Sequence, residues 1–540
     1  MTTGAGPRRM DAGRRSVVAG MNGAVATSQP LAAQAGLSVL QAGGNAVDAA
    51  LAAAATLNVV EPMSTGLGGD VFALVYLAAD RRVYALNGSG RAPWSATPEI
   101  FALRGLHAVP ERGILSVTVP GAPAAWCDLS ARFGRLPLER VLAPAIGYAE
   151  QGYPVSEYIS HLWEVSEPLL QRDPESARVY LPGGHAPRPG EVVALPDLAS
   201  TLRLLATQGT APFYQGQVAH SIASRSAELG GLLSSQDLAD HRSTWVEPIS
   251  TLYRGYRVWE CPPNAQGVAT LLALSILSHD DLAAMPFYHA ATAHLKMEAI
   301  KLAMVDAARF VADPAMASVP VEQLLSEAYA SQRRALISAD RAIALPAPWK
   351  LPGPSDTVYL AAADGQGNAC SFISSLYRGF GSGITVPGTG ITLQNRGRLF
   401  NLDPAHPNCL APHKRPYHTI IPAMVTREDR LALCFGVMGG HMQPQGQVQV
   451  LCNMLDHGMS PQQALDAPRF FYHVGEGQGA TFSIEPYYGE EVLASLRVRG
   501  HVISDEASTY GGGEVIMVDP QSGALLAGAE PRNDSTAVAY

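Results

Sequence analysis

One alanine-rich stretch, residues 46–60, constrains the fold more than any other part of the chain. Asn45 ahead of it is a typical helix N-cap, and Pro62 behind it cannot continue a helix. The sequence therefore predicts a helix that begins after Asn45 and ends at about Val60. A face built of alanines is buried only where other elements pack closely against it, so we expect this helix in the interior.

A shorter helix is predicted just ahead of it, over Leu31–Gln41, with Ser28 as the N-cap and Pro30 as the first helical residue. The glycine run Gly66–Gly69 follows a helix and not a strand, so it is not a dinucleotide-binding fingerprint. We interpret it as a tight turn where backbones approach closely.

The strand signals cluster towards both ends of the chain, and the region 100–350 between them is mostly helical, with Ala291–Val311 its strongest helix. This order favours an α+β fold with two antiparallel sheets and helices packed outside them. Four hairpins are predicted, at Val71–Leu77 with Arg82–Leu86, Val358–Ala363 with Asn368–Ile373, Thr419–Val425 with Leu431–Val437, and Glu514–Val518 with Ala524–Ala527.

Composition excludes several classes of function. The 540 residues carry 38 basic and 47 acidic side chains, a net charge of −9, which argues against nucleic acid or an anionic membrane as partner. No apolar run reaches the ~18 residues of a membrane span. Six cysteines without a CxxC pair predict free thiols in a cytoplasmic protein. Arg14-Arg15 resembles a twin-arginine export signal, but polar residues interrupt the segment that follows.

Common catalytic motifs are missing from the sequence: it contains no GxSxG, no HExxH and no phosphate-binding loop. His294 and Glu298 lie four residues apart on a predicted helix, but no third ligand is near, so we expect no metal and no other cofactor. Asp356-Thr357 stands between the loop Gly353-Pro-Ser and a predicted strand, which is an ordinary position when taken alone.

Ordered motifs along the chain give that position a meaning, because together they resemble the γ-glutamyltransferase family of N-terminal nucleophile hydrolases from Gly23 to Tyr540. The motifs are Ala26-Thr-Ser-Gln-Pro-Leu-Ala, Gly43-Gly-Asn-Ala-Val-Asp-Ala-Ala, Glu61-Pro, Gly66-Leu-Gly-Gly, Val119-Pro-Gly-Ala-Pro, Gly528-Ala-Glu-Pro-Arg and Ala537-Val-Ala-Tyr. Within the family the chain most resembles the oxamate amidohydrolase branch, through Phe380-Gly-Ser-Gly, Pro387-Gly-Thr-Gly and Gln394-Asn-Arg-Gly.

The resemblance implies a four-layer αββα sandwich and autocleavage between Asp356 and Thr357. Residues 1–20 would form a tail, residues 21–356 the large chain and residues 357–540 the small chain, intertwined in one catalytic domain. The freed α-amine of Thr357, with a reference pKa of about 7.7–8.0, can act as base for its own hydroxyl nucleophile.

Further catalytic roles follow from the resemblance. Ser375 takes the place of a hydroxyl, usually threonine in the family, that bonds the nucleophile's oxygen. Gly439 and Gly440 match the family's oxyanion glycines, and two backbone N–H groups ahead of a helix suit a developing negative charge.

Departures from the family concern the substrate's charged groups. The family's ammonium-binding acid falls on Leu399, and the neighbouring glutamine position holds Arg396. An arginine without that acid favours a carboxylate and repels an ammonium. The family's asparagine, paired serines and carboxylate-binding arginine fall on Tyr377, on His418 and Thr419, and on Ser89 with Arg91 two residues later, so the substrate-binding residues are predicted to be Arg396, Tyr377, Arg91, His418 and Thr419.

We therefore expect an amidohydrolase for a small acid amide, oxamate above all, which it would convert to oxalate and ammonia through an acyl-Thr357 ester. The alternatives are a γ-glutamyl hydrolase or transpeptidase, a β-lactam glutaryl acylase, and a ligand-binding relative that does not process itself. The two cleavage products are expected to stay associated and to form a dimer of heterodimers.

Overall fold

The computed structural model describes residues 15–344, 356–474, 480–504 and 509–540. Most of the expected N-terminal tail, including Arg14, and the loop Gly353–Ser355 ahead of the expected cleavage site lie outside the described residues. Within them the chain forms two seven-stranded antiparallel sheets with helices on both outer sides. This is the four-layer arrangement that the resemblance implied.

The first sheet, called the Thr357 sheet, places the two longest strands at its centre. In spatial order it contains β21 (Thr536–Ala539), β2 (Gly23–Thr27), β10 (Asp356–Asp364), β11 (Ala369–Tyr377), β3 (Asp70–Leu77), β4 (Arg82–Gly88) and β7 (Thr244–Val246). Strands from before and after the Asp356–Thr357 bond therefore belong to one sheet.

The second sheet, called the opposite sheet, is also built from both parts of the chain. Its order is β1 (Val18–Gly20), β20 (Leu525–Ala529), β19 (Gly512–Val518), β15 (Arg430–Met438), β14 (Ala423–Arg427), β9 (Tyr256–Glu260) and β8 (Ile249–Tyr253). Three small sheets lie elsewhere: β5 (Tyr153–Pro154) with β6 (Val192–Val193), β12 (Thr385–Val386) with β13 (Ile391–Thr392), and β16 (Phe470–Val474) with β17 (Ala480–Ile484) and β18 (Val502–Ser504).

Strand β10 shows how the layers form, because its side chains alternate between two buried faces. Tyr359 and Ala361 point into the core between the two sheets, while Val358 and Leu360 join the core under the helices. Gly436 on the opposite sheet leaves room for the Tyr359 ring, since a Cβ there would lie 2.4 Å from that ring. Burial on both faces explains why the strand is a continuous apolar run.

Helices cover each sheet. Over the Thr357 sheet pack α1 (Pro30–Gln41), α2 (Ala46–Val60), α4 (Ala122–Phe133), α5 (Leu138–Gln151) and α8 (Pro196–Gln208). Over the opposite sheet pack α12 (Gly267–Leu277), α13 (Ala290–Phe310) and α16 (Met442–Leu455). The remaining helices are α3 (Pro98–Leu103), α6 (Glu157–Leu170), α7 (Pro174–Tyr180), α9 (Ala211–Tyr214), α10 (Gln217–Glu228), α11 (Ser235–Ala239), α14 (Val321–Leu324), α15 (Glu327–Arg334), α17 (Pro461–Asp466) and α18 (Glu490–Val498).

The alanine helix α2 is as interior as its sequence predicted: all of its residues are buried, and Asn45 and Asp48 form a capping box at its start. The predicted cap of α1 was wrong by one residue. Gln29 caps that helix, because its side chain accepts from Leu31 and Ala32, whereas Ser28 donates its hydroxyl to Glu61.

Other expectations needed correction as well. The middle of the chain contributes the strands β7, β8 and β9 to the edges of the two main sheets, so it is less purely helical than its pattern indicated. The segment 419–422 ahead of β14 is not a strand. Residues 18–20, expected in the tail, pair with β20 as strand β1.

Candidate active site

Thr357 lies at an irregular point of the Thr357 sheet. Asp356 pairs with Tyr377 and Val358 pairs with Ser374, so the register between β10 and β11 shifts at the residue between them. Bulges of this kind re-aim a side chain and occur next to active sites. The Thr357 side chain is buried here, at 3% exposure of the residue.

Ser375 connects the Thr357 hydroxyl to the peptide bond ahead of it. Thr357 Oγ1 donates to Ser375 Oγ at 3.3 Å, and Ser375 Oγ donates to the carbonyl oxygen of Asp356 at 2.8 Å. The N–H of Tyr377 donates to the same Ser375 oxygen at 2.7 Å and fixes its position. The serine hydroxyl therefore withdraws charge from the carbonyl that a Thr357 attack would target.

Tyr377 has a strained backbone conformation, and the guanidinium of Arg396 stacks on its ring. Its φ of +83° lies in the left-handed region, which costs a non-glycine residue of order 1–3 kcal/mol. The guanidinium carbon of Arg396 lies 4.6 Å from the ring centroid, a cation–π contact. The strain places a buried aromatic surface beside Ser375.

Arg396 is a buried cation with few partners of its own. The residue is 0% exposed, and its Nη1 donates to Thr419 Oγ1 at 2.7 Å. Its Nε and Nη2 have no hydrogen-bond partner among the described residues. Burial lowers its pKa to about 10, opposed by the negative charge of Asp70. At neutral pH the guanidinium stays charged and has two donors available for an anion.

Gln266 holds the loops around this arginine together. Its Nε2 donates to the carbonyl oxygens of Thr419 at 2.6 Å and Gly440 at 2.9 Å, and its Oε1 accepts from the Tyr417 hydroxyl at 2.7 Å. His441 Nδ1 lies 3.3 Å from the same oxygen. Burial lowers the pKa of His441 to about 3, so the ring is neutral at pH 7.

Gly440 joins this group through Gln266, and Gly439 precedes it in the same turn. The φ angles of +114° at Gly439 and +61° at Gly440 need glycine, and a Cβ on Gly439 would lie 3.1 Å from the Gly511 backbone. Neither N–H donates to another group of the described residues. Two available N–H groups before α16 have the chemistry that an oxyanion needs.

His418 supports the site through its contact with Asp70. Its Nε2 lies 3.0 Å from Asp70 Oδ2, and Asp70 also accepts from the Gly90 N–H and from Gln394. Burial and the charge of Arg396 lower the His418 pKa to about 4. A neutral imidazole that donates to the Asp70 carboxylate fits both observations better than an ion pair does.

Two positions named in the sequence analysis, Arg91 and Leu399, contribute no charge to the Thr357–Arg396 group. Arg91 contacts Asp313 at 3.4 Å and the carbonyl oxygen of His413 at 3.2 Å, and not the Thr357–Arg396 group. Leu399, at the family's acid position, is fully buried in the apolar core beneath the opposite sheet. The residues that the structure brings together are Thr357, Ser375, Tyr377, Arg396, His418, Thr419 and Gly440.

Sequence reasoning missed four members of this site: Gln266, Tyr417, His441 and Asp70. Asp70 and His441 follow glycine pairs directly, Tyr417 precedes His418, and Gln266 is a polar residue at the start of an apolar helix. For Asp70, His441 and Gln266 the available signal was a polar residue next to a glycine in the sequence.

The expectation that His294 and Glu298 lack a third potential ligand was wrong. His501 lies beside them, and one potential ligand atom from each residue lies within 4.8 Å of the others. The three residues already bond one another and their surroundings: His294 Nδ1 lies 2.7 Å from His501 Nε2, and Glu298 pairs with Lys301 at 2.6 Å. The arrangement is that of a buried ion-pair network, because Lys301 supplies the positive charge.

A four-layer αββα sandwich with a buried threonine, a bonded serine and glycine N–H donors defines the class of N-terminal nucleophile amide hydrolases. The chain matches the gamma-glutamyltranspeptidase family over residues 32–540 and belongs to it. It is 40% identical to the glutathione hydrolase-like YwrD proenzyme of Bacillus subtilis, over 96% of this chain and 99% of that protein.

Other relatives have different names. The oxamate amidohydrolase proenzyme of Klebsiella pneumoniae is 36% identical, over 94% of this chain and 97% of that protein. A crystal structure of cephalosporin acylase from Bacillus halodurans is 46% identical, covers 99% of both chains and superposes with a TM-score of 0.91. The chain is therefore a hydrolase of amide C–N bonds with the fold of this family. No helix among the described residues is long and apolar enough to cross a membrane.

Proposed function

We propose that the chain cleaves itself between Asp356 and Thr357 and then hydrolyses a small acid amide, with oxamate as the first candidate. The observation that carries the proposal is Arg396, a fully buried guanidinium with two donors available for an anion. A carboxylate without a neighbouring ammonium is the group that completes such a site.

The proposed autocleavage would use the Ser375 hydroxyl and the carbonyl of Asp356. Thr357 Oγ1 attacks the Asp356 carbonyl carbon, whose oxygen already accepts from the Ser375 hydroxyl at 2.8 Å. The C–N bond breaks, its nitrogen takes the proton and becomes the α-amine of Thr357, and water then hydrolyses the Asp356 ester. Named proenzymes among the relatives support this step.

Amide hydrolysis would follow on the freed Thr357. The α-amine takes the proton of Oγ1 as the hydroxyl attacks the amide carbon. The N–H groups of Gly439 and Gly440 stabilise the tetrahedral oxyanion, ammonia leaves with the proton from the α-amine, and water attacks the ester. Arg396 holds the free carboxylate meanwhile, because a molecule as small as oxamate offers no other charged group.

The second candidate is an acylase that takes a dicarboxylic acyl group such as glutaryl. The observation in its favour is the 46% identity to cephalosporin acylase over nearly the whole of both chains. A longer acyl chain also ends in a carboxylate, so both candidates need a buried cation. Hydrolysis of γ-glutamyl amides is disfavoured because Leu399 offers no charge to an α-ammonium.

Two experiments test the proposal. Mass spectrometry of the purified protein should find a fragment that begins at Thr357, while Thr357→Ala should stay one chain. Rates of hydrolysis are then measured as ammonia release from oxamate and as amine release from glutaryl and γ-glutamyl anilides. Oxamate and the glutaryl substrate, which carry no α-ammonium, should be hydrolysed faster than the γ-glutamyl substrate. An intact wild-type chain with full activity, or a preference for the γ-glutamyl substrate, would contradict the proposal.

A further inference from the structure

The side chain of Asp356 has defined contacts in the uncleaved chain. The Gly379 N–H donates to its carboxylate, and a Cβ on Gly379 would lie 2.9 Å from Asp356 Oδ2. Arg112 fixes the same loop, since its Nη1 donates to the carbonyl oxygens of Gly379 and Gly381, both at 2.5 Å. A glycine is needed here because the backbone itself approaches the carboxylate.

Positive charge surrounds this carboxylate. Burial raises the pKa of Asp356, while the Gly379 N–H, Arg112 and Arg378 lower it. Two acids lie nearby. Glu111 Oε1 lies 3.3 Å from Arg378 Nη2 at the exposed side of the position, and burial raises the pKa of Glu61 to about 7, so Glu61 adds less than a full negative charge at neutral pH. The position therefore suits an anion that enters without its hydration shell.

The acyl group of Asp356 and that of the substrate would be attached to the same oxygen atom. During autocleavage the Asp356 acyl group is esterified to Thr357 Oγ1, and in the proposed hydrolysis the substrate's acyl group is esterified to the same oxygen. Two carbons, Cα and Cβ, separate the reacting carbonyl of Asp356 from its side-chain carboxylate. A succinyl group has the same spacing, whereas an oxalyl group has no carbon between the two.

We propose that Gly379, Arg112 and Arg378 form a second anion subsite, filled by Asp356 before cleavage and by the substrate afterwards. The ligand class is the half-amides of four-carbon dicarboxylic acids, with succinamate as the simplest. Hydrolysis of the Asp356 ester gives that residue a free α-carboxylate and ends its covalent tie to Thr357, which opens the subsite. The inference rests on the proposed acyl transfer to Thr357 but not on Arg396, which serves the shorter acids.

Binding of succinate tests the subsite without turnover. Calorimetry should show succinate binding to processed wild type at least tenfold more tightly than to uncleaved Thr357→Ala, where Asp356 fills the subsite. Arg112→Gln in the processed protein should weaken binding about 10–10²-fold, since a charged partner is lost. Arg203→Gln, an exposed arginine that pairs with Glu150, is the matched control and should bind as wild type does.

Equal succinate affinity in processed wild type and uncleaved Thr357→Ala would overturn the subsite. This comparison needs no arginine variant, so it stands even if Arg112→Gln does not process itself. Unchanged affinity in a processed Arg112→Gln protein would overturn it as well.

Turnover of a chain-length series separates this inference from the proposed function. Among oxamate, malonamate, succinamate and glutaramate, kcat/KM should be high for oxamate and pass through a second maximum at succinamate. Arg112→Gln should lower that second maximum at least tenfold while the value for oxamate changes less than twofold. Hydrolysis of oxamate without succinate binding would overturn the subsite and leave the proposed function standing. Arg112-dependent succinate binding in a protein that hydrolyses no acid amide would do the reverse.

Discussion

Two fully buried arginines, Arg396 and Arg469, differ in the partners that surround their charge. Arg469 pairs with Glu530 at 2.9 Å and donates to the carbonyl oxygens of Tyr510 and Gly511 at 3.1 Å. Arg396 has the Thr419 hydroxyl, an aromatic ring and two donors without a partner in the described chain. A buried cation is costly unless it is paired, and we propose that the substrate supplies the carboxylate beside Arg396.

Substitution of Arg469 should lower stability more than the same substitution of Arg396. Arg469→Gln removes the charge from a buried pair and leaves several carbonyls without donors, which should lower the free energy of unfolding by about 3–5 kcal/mol. Urea denaturation of the uncleaved Thr357→Ala background measures this as a single chain. The same substitution at Arg396 is the matched control and should change stability by less than about 1 kcal/mol, because few bonds are lost. Equal destabilisation at both sites would erase the contrast.

The turn at Gly439 and Gly440, the proposed oxyanion donors, gives a test of the proposed catalytic group. Gly440→Val forces a β-branched residue into φ +61° and should displace the N–H donor. Loss of one such donor lowers kcat by about 10²–10³-fold. Steady-state kinetics on processed protein give kcat, and circular dichroism checks the fold. A processed, folded Gly440→Val enzyme with wild-type kcat would remove Gly440 from the catalytic group.

The histidines around Arg396 add a pH dependence with a definite sign. Burial lowers the pKa of His441 to about 3 and of His418 to about 4, below the unfolded value of about 6.5. The unfolded chain therefore binds more protons between these values, so the stability present above pH 6.5 is lost as pH falls towards 4. Each histidine contributes about 1.4 kcal/mol per pH unit.

His441→Gln tests that dependence in the uncleaved Thr357→Ala background. Between pH 6.5 and 5 the parent should lose about 2 kcal/mol more than the variant, by the same arithmetic. His220→Gln, which changes an exposed histidine on α10, is the control and should follow the parent. Identical pH slopes in parent and His441→Gln would mean that His441 is not held neutral in the folded state.

Much of the fold was predictable because its signals are local. The alanine run of α2 with its Asn45 cap, and the hairpin of β10 and β11, depend on neighbouring residues. Ser28 shows the limit: its hydroxyl suits a helix cap, but Glu61, thirty-three residues away, takes it. Strand β7 was missed for a similar reason, since only pairing with β4 makes it a strand.

The site was predictable where the resemblance supplied positions and not where side-chain direction decides. Thr357 bonds Ser375, and Arg396 stacks on the ring of Tyr377. Nothing local indicates that Arg91 extends to Asp313. His501 joins His294 from 207 residues away, a separation that no motif spans. Gln266 connects Thr419 with Gly440 through contacts that depend on the finished fold.

Arg396 has no carboxylate partner among the described residues, and we propose that the substrate's carboxylate takes that place. The most direct measurement is the ratio of kcat/KM for oxamate to that for oxamide, its uncharged diamide, in processed wild type, Arg396→Gln and Arg396→Lys. The wild type should favour oxamate, Arg396→Gln should lower the ratio by about 10–10³-fold at 1.4 kcal/mol per tenfold, and Arg396→Lys should restore part of it. A ratio that is the same in wild type and Arg396→Gln would contradict the account.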